Sequence, residues 1–345
     1  MGRCGLLLAL LLAGGLVLGL PAGAPAQTAS AQTASAAAAP SGYRDTRADD
    51  GRTVPAYLPS TDPDRVVRVF SVTFWARQGE RRSVTADVIA RQPATTPDSA
   101  LMAAVSVSCS PTGGGVASAG ATQNLVRGSG ARFTPRFVYD VPRTGMVGCV
   151  LVATGLRPRP VASGYASANR WYVDAGSSLS VSQPLGWWAR SLETDARSRV
   201  LGRGQSWSPI QVVTRVDPAG TAFTVTSDHK VTTCSSVGGS RDASTAGREL
   251  CADRVETTGS RVRSVVTAVQ LDRRGDPCAR PQEFSTLRRV TPTIHHAMVF
   301  SQGVVRVSRS AACRPVFRIS GRLEQVGGAD LVIHAPSERT TILSH

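Results

Sequence analysis

The sequence predicts an all-β protein built from two small antiparallel β-sandwiches in tandem, and three observations support this prediction. Apolar and polar residues alternate with a period of two along many short segments, which is typical of strands with one buried face. Clusters of Gly, Pro and Ser separate these segments, as expected for loops. Almost no segment shows helical periodicity. The 345 residues are enough for two domains, each with its own core.

The N-terminus has the three-part layout of a secretory signal peptide over residues 1–26. One early Arg precedes a 16-residue apolar run at 5–20, and the small-residue site Ala24-Pro25-Ala26 follows it. A membrane-spanning helix needs about 20 apolar residues, so the run predicts a secreted, extracellular protein without a further transmembrane segment. Residues 27–65, rich in Ala, Thr, Ser and Pro, are expected to be a disordered spacer because they hold too few apolar side chains.

Strand patterns place the first β-sandwich at residues 66–157 and the second at 208–336. Within the first, residues 147–153 are apolar on both faces, which predicts a central strand covered on two sides. Residues 337–345 are expected to form a C-terminal tail. Predicted strands lie at 66–74, 84–89, 100–108, 132–141, 147–153, 210–216, 221–228, 229–234, 262–271, 293–300, 304–308, 316–323 and 331–334.

A Trp-containing connecting segment is expected at residues 158–207, between the two sandwiches. It holds four of the five tryptophans: Trp171, Trp187, Trp188 and Trp207. These side chains would fill the interface between the two domains, because Trp has a large apolar surface. A platform on which carbohydrate rings stack is the alternative interpretation. One short helix is predicted at 185–200.

The cysteine count predicts three disulfides in an oxidising compartment. Cys4 leaves with the signal peptide, and six cysteines remain. Fifteen pairings are open. Nearest-neighbour pairing is our hypothesis, because the first two cysteines lie far from the other four. The predicted bridges are Cys109–Cys149, Cys234–Cys251 and Cys278–Cys313. Metal ligation is disfavoured because the chain contains no C-x-x-C pair.

The expected architecture resembles generic immunoglobulin-like sandwiches. It departs from the antibody pattern of Cys, Trp and Cys, because no Trp lies between Cys109 and Cys149. The resemblance implies a fold and carries no function.

The chain is strongly basic, with 39 Lys and Arg, 24 Asp and Glu, and a net charge of +15. Lys230 is the only lysine, and all other basic residues except histidine are Arg. The charge favours an anionic partner, such as a cell-wall polymer or an acidic polysaccharide, although a protein partner stays open. Nucleic acid is not specifically indicated. The simpler interpretation is a solvated, Arg-rich surface that follows from codon composition.

Motifs with a known catalytic mechanism are absent from the sequence. There is no G-x-S-x-G, H-E-x-x-H, calcium loop or P-loop, so no cofactor or metal is predicted. The adjacent His295 and His296 are expected to point to opposite faces of a strand and therefore not to share a metal. Asp228 and His229 could belong to a Ser-His-Asp set, but sequence alone gives no geometry for one.

Arginines on one predicted strand form the candidate anion-binding site. Arg318 and Arg322 fall on the face opposite to Phe317 and Leu323. Arg306 lies on a preceding strand that could pair with this one. Planar guanidinium groups bind phosphate or carboxylate through two hydrogen bonds at once.

These observations favour a secreted, non-enzymatic binding protein whose partner is an anionic surface polymer or a protein. The alternative is an extracellular hydrolase with a site in the cleft between the two β domains. Asp87 and Asp228 are its candidate paired acids. A secreted inhibitor or toxin-like factor is the third class. The oligomeric state is not indicated.

Overall fold

The computed structural model describes residues 42–45, 51–55, 66–96, 100–112, 116–156, 170–193, 197–235, 250–251, 256–334 and 339–344. The predicted signal peptide lies outside them. Within these ranges, the regular elements are twenty-one β-strands, and all strand pairs are antiparallel. The all-β prediction is therefore confirmed.

In chain order, the strands are β1 (Gly42–Asp45), β2 (Arg52–Pro55), β3 (Val67–Ala76), β4 (Arg81–Arg91), β5 (Ala100–Pro111), β6 (Ala117–Val126), β7 (Gly130–Phe133), β8 (Arg136–Asp140), β9 (Gly145–Leu156), β10 (Arg170–Val173), β11 (Ser178–Ser182), β12 (Arg190–Glu193), β13 (Arg199–Leu201), β14 (Ser206–Arg215), β15 (Ala222–Thr233), β16 (Ser260–Gln270), β17 (Gln282–Val290), β18 (His296–Arg306), β19 (Val316–Gly328), β20 (Leu331–Ile333) and β21 (Arg339–Ser344).

Sheets I and II form the N-terminal sandwich. Sheet I has the order β1-β11-β4-β10-β2, with β7 and β8 also paired to β4, and sheet II has the order β3-β9-β5-β6. Alternate residues of each sheet point inward and meet in one core, to which sheet I contributes Val84 and Val88 and sheet II contributes Val105 and Leu151.

Sheets III and IV form the C-terminal sandwich. Sheet III has the order β12-β21-β15-β20-β13, with β18 also paired to β15, and sheet IV has the order β14-β19-β16-β17. Phe223 of β15 and Phe317 of β19 meet edge to face across this core, with ring centroids 4.9 Å apart. The pairing of two sheets in each half buries the inward faces of long strands such as β4, β15 and β19.

Three disulfides join neighbouring cysteines, in the same pairs that the sequence order favoured. They are Cys109–Cys149, Cys234–Cys251 and Cys278–Cys313. The first joins directly opposite residues of β5 and β9. Disulfides of this kind form and persist in oxidising compartments.

Several predicted non-strand segments contribute strands. β1 and β2 lie within residues 27–65, which were expected to be a disordered spacer. β2 is ordered because it pairs with β10 and because the Val54 side chain is fully buried in the N-terminal core. The connecting segment 158–207 contains β10 and β11 of sheet I and β12 and β13 of sheet III. The helix predicted at 185–200 is wrong, because residues 190–193 and 199–201 pair with β21 and β20.

Two further expectations are wrong. β21 lies within the predicted C-terminal tail 337–345, where it pairs with both β12 and β15. β9 is central in sheet II, but it is buried on one face alone. Val150 and Val152 on its other face are partly exposed. Their neighbours on β5 include Ser106 and Ser108, so this outer face is shallow and hydroxyl-rich.

Polar contacts connect the two sandwiches. The Arg288 guanidinium donates to Gln123 Oε1 over 2.6 Å, and the His296 main-chain N–H donates to Asn124 Oδ1 over 2.6 Å. The Val138 N–H donates to Ser191 Oγ over 2.8 Å. These contacts place sheet III and β17 against β6 and β8 and create the cleft described below.

Candidate functional site

The outer surface of sheet IV carries a group of arginines, which we call the arginine face. Its members are Arg215, Arg261, Arg263, Arg289, Arg318 and Arg322. β19 alternates strictly, so Phe317, Ile319 and Leu323 are fully buried while Arg318 and Arg322 point outward. The register of the sheet shows which residues of the other strands lie on the same outer side, because directly opposite residues of paired strands point to the same side of a sheet.

Strand pairing positions the remaining arginines. Arg263 is opposite Glu324 of β19, and Arg289 is opposite Arg261. Val213 of β14 is opposite Arg318. Arg215 lies two residues after Val213 and therefore points to the same side of the sheet. Val269 of β16 is opposite Arg318 and lies eight residues after Arg261, which corresponds to about 26 Å along the strand. The face is therefore long and open rather than a pocket.

Carboxylates neutralise part of the arginine face. Glu324 accepts from Arg263 over 3.1 Å and from Arg322 over 3.0 Å, and Glu283 lies 3.9 Å from Arg322. Six guanidinium groups thus face two carboxylates. No ion pair or hydrogen bond of the Arg261 or Arg289 side chain is made to any described residue.

Two members of the face have neutral contacts. Arg318 donates to the Gly275 carbonyl over 3.4 Å. The Arg215 guanidinium lies 6.0 Å from the centroid of the exposed Trp187 ring, a cation–π contact. Neither contact removes the positive charge.

The predicted trio of Arg306, Arg318 and Arg322 does not form one group. β18, which carries Arg306, pairs with β15 in sheet III and not with β19. The main chain of Arg306 instead exchanges two hydrogen bonds of 2.8 Å with the Gln282 side chain. Sequence reasoning missed Arg261 and Arg263, for which the Arg-Val-Arg alternation at the start of a predicted strand was the available signal. Arg289 was named from the sequence, together with Arg288, as an addition to the same side as Arg318 and Arg322.

A cleft of about 270 Å³ lies between the two sandwiches. β6 and the segment from β7 to β8 line one side, and β15, β18 and β21 line the other. The lining residues with charged side chains are Arg132, Arg136, Glu193, Asp228, Lys230, Arg288 and Arg339. The cleft that the hydrolase alternative requires is therefore present.

Three of the cationic side chains in the cleft form ion pairs. Arg136 lies 3.5 Å from Asp228, across the boundary between the sandwiches. Burial raises the pKa of the Asp228 carboxyl, and the Arg136 charge opposes this rise. Arg339 is paired with Glu193, and burial lowers its pKa to about 10. Arg132 and Asp87 form a two-point ion pair with distances of 2.6 and 2.5 Å.

Three histidines cluster near Lys230, whose charge acts on His296 and His334. The His295 and His296 rings are 4.2 Å apart, and the His296 and His334 rings are 6.4 Å apart. The expected alternation fails because β18 begins at His296, and the turn before it allows the His295 ring to fold alongside. Burial lowers the pKa of His295 and of His334 to about 4.

The sequence candidates for a catalytic set are separated. Asp228 points to the cleft, whereas His229 points into the C-terminal core, where its Nε2 is 2.9 Å from Ser227 Oγ. Ser227 and His229 are both fully buried. In the described part of the chain, no group of three His, Cys, Asp or Glu residues is arranged to bind a metal ion.

The tryptophans do not gather in one place. Trp171 is fully buried in the N-terminal core, and Trp207 packs against the C-terminal core. Trp187 and Trp188 contact each other edge to face at 5.7 Å. The predicted interface plug is therefore wrong for Trp171 and Trp207, since each packs with the core of one sandwich. Among the described residues, no helix is long and apolar enough to cross a bilayer.

Comparison with known proteins gives weak likenesses. No family model matches the chain, and no curated protein matches it in sequence. One similar structure is the N-terminal CBM22-1-CBM22-2 tandem domain of Paenibacillus barcinonensis Xyn10C, with 7% identity, 88% of this chain and 93% of that chain covered, and a TM-score of 0.23. Another is from infectious bursal disease virus, strain Gx, with 11% identity, coverages of 84% and 83%, and a TM-score of 0.15. TM-scores this low define neither fold nor function.

Proposed function

We propose that this is a secreted binding protein whose arginine face holds an anionic polymer. The observation that carries the proposal is the pair Arg261 and Arg289, which lie directly opposite each other on sheet IV without a counter-ion among the described residues. Exposed guanidinium groups bind sulfate, phosphate or carboxylate through two parallel hydrogen bonds.

The shape of the face supports an extended partner. Arg261 and Arg289 lie at one end of sheet IV, and Arg318 and Arg215 lie at the other, about 26 Å away. A flat strip of this length matches a chain with repeated charges better than a single small anion. Acidic polysaccharide and anionic wall polymers have this form, and the three disulfides suit their extracellular setting.

The test is to reverse the charge of the two unpaired arginines. The double variant Arg261→Glu/Arg289→Glu should bind heparin roughly tenfold or more weakly, because two attractions become two repulsions. The matched control is Arg77→Glu/Arg143→Glu, which makes the same change in net charge at exposed loops of the N-terminal sandwich. Equal weakening in both variants would assign binding to net charge and reject the arginine face.

A hydrolase with its acid in the cleft is the second candidate, and the raised pKa of Asp228 favours it. The carboxylates of Asp87, Asp228 and Glu193 are each ion-paired with an arginine. Asp228 is the better-supported proton donor of the three because burial raises its pKa. Release of reducing ends from acidic polysaccharide, abolished by Asp228→Asn, would support this candidate. Turnover that is unchanged in Asp228→Asn would reject it.

A further inference from the structure

The inter-sandwich cleft contains more positive charge than its own acids neutralise. Three of its five cations are ion-paired, namely Arg132, Arg136 and Arg339. The other two are Lys230 and Arg288. In the described part of the chain, no carboxylate lies within ion-pair distance of either.

Lys230 and Arg288 converge on one cross-strand pair. Lys230 of β15 is directly opposite Met298 of β18, with Cα atoms about 5 Å apart in such a pair. Arg288 reaches the same place from β17, because its Nη1 donates to the Met298 carbonyl. Its Nη2 donates to Gln123 Oε1 over 2.6 Å, across the sandwich boundary. The ammonium and the guanidinium therefore belong to one site that both sandwiches complete.

Both cations are largely buried, and neither has a counter-charge among the described residues. Burial lowers the pKa of Lys230 and of Arg288, and no opposing charge is among the causes. The acceptors of Arg288 are a neutral amide and a carbonyl, which take two of its five N–H groups and leave its charge uncompensated. A desolvated charge is costly unless it is paired.

We infer that this cleft is a second binding site, which takes one small oxyanion between the Lys230 ammonium and the Arg288 guanidinium. The ligand class is a molecule with a carboxylate, sulfate or phosphate group and a body of about one sugar ring, since the cleft encloses about 270 Å³. This site is separate from the arginine face, and it does not depend on polymer binding there.

The neighbouring groups suit an anion at neutral pH. Burial keeps the pKa of His334 at about 4 and that of His296 well below its ordinary value, so both are neutral there. Asp228 and Glu193 are held by Arg136 and Arg339. The anion would thus replace solvent at the two unpaired cations without displacing an existing ion pair.

Because Lys230 is the only lysine, its ionisation can be followed directly. Reductive ¹³C-methylation labels this side chain and the N-terminal amine, which NMR distinguishes. The labelled protein is titrated with pH in chloride and then in glucuronate, sulfate, phosphate or neutral glucose at constant ionic strength. A bound anion raises the pKa of the Lys230 amine, so we expect an upward shift with the anions and none with glucose. A shift with glucuronate alone identifies a uronic acid ligand, and a shift with all three identifies a general oxyanion site.

Variants separate this site from the arginine face. Lys230→Met should lose affinity for the effective anion by about tenfold or more, as expected for a lost charge-assisted hydrogen bond, whereas Lys230→Arg should retain it. Thermal unfolding gives a second readout. The anion should raise the melting temperature of the wild type and of Arg261→Glu/Arg289→Glu, but not that of Lys230→Met. An amine pKa that no anion changes, or equal anion stabilisation of Lys230→Met and wild type, would overturn the inference.

Discussion

Acid should destabilise the protein steeply, because it must protonate histidines that the fold keeps neutral. His295 and His334 have pKa values of about 4 in the folded chain, against 6.5 for an unperturbed histidine. The main cause for both is burial, and the nearby Lys230 charge adds to it for His334. Between pH 6.5 and 4 the unfolded chain therefore binds protons that the folded chain does not, so stability falls as the pH falls.

The size of this effect follows from the two pKa values. Each histidine contributes about 1.4 kcal/mol per pH unit in this window, or roughly 3–4 kcal/mol over its whole width. Stability is fully retained above pH 6.5 and is lost as the pH approaches 4. The sum for two histidines, about 7 kcal/mol, is comparable to the whole stability of a typical domain. His296, whose pKa is also lowered, steepens the loss further.

Hydrogen bonding at Thr232 reinforces the neutral state. Its hydroxyl is 2.6 Å from His296 Nδ1 and 2.7 Å from His334 Nε2. One hydroxyl has one proton, so it can donate to one ring and accept from the other. Protonation of the ring that accepts breaks its hydrogen bond with the hydroxyl, and protonation of both rings places two positive charges in rings whose centroids are 6.4 Å apart.

Urea denaturation at a series of pH values from 8 to 4 measures this dependence. The variant His334→Gln should reduce the slope of unfolding free energy against pH by about 1.4 kcal/mol per unit between pH 6 and 5. The stability of both proteins should change little between pH 7 and 8, where the histidines are neutral. Parallel curves for wild type and variant across the acid range would refute the reasoning.

Other substitutions test the packing. Arg136→Met should destabilise the protein by about 3 kcal/mol at pH 7, because Asp228 keeps a buried charge without a partner. Adding Asp228→Asn should recover part of the loss in a urea melt. Gly303→Ala places a methyl group in the Phe284 ring and should cost about 1–3 kcal/mol. Gly148→Ala meets nothing within 4 Å and should be nearly neutral. Removing the Cys234–Cys251 disulfide should lower the free energy of unfolding by about 3 kcal/mol, as measured by thermal unfolding.

The long strands were predictable because their apolar residues alternate without interruption. β16 was predicted at 262–271 and spans Ser260–Gln270, and β19 was predicted from residue 316. β17 was missed because it is an edge strand whose inward positions include Thr286 and Arg288. β21 was missed although it lies inside sheet III. Its buried positions include Thr340, whose hydroxyl lies 3.4 Å from the Ser227 hydroxyl. A pattern search for alternating apolar residues does not recognise a buried threonine as a core position.

The candidate sites were less predictable than the strands. Alternation along β19 was enough to place Arg318 and Arg322 outward. Arg261 and Arg289 join them through the register of β16 with β17, and a single sequence does not specify which strands are neighbours. The cleft depends on contacts between residues far apart in the chain, such as Arg288 and Gln123. Lys230 was noticed as the only lysine, but its partners come from other strands.

The most direct test of anionic-polymer binding is retention of the purified protein on cell-wall material and on heparin across a salt gradient. Exposed charges interact over about 10 Å at 0.1 M salt and over much less at 1 M. The account predicts retention at low salt, release as salt rises, and no retention on an uncharged polysaccharide matrix. Passage through heparin and cell-wall columns at low salt, without delay, would contradict it.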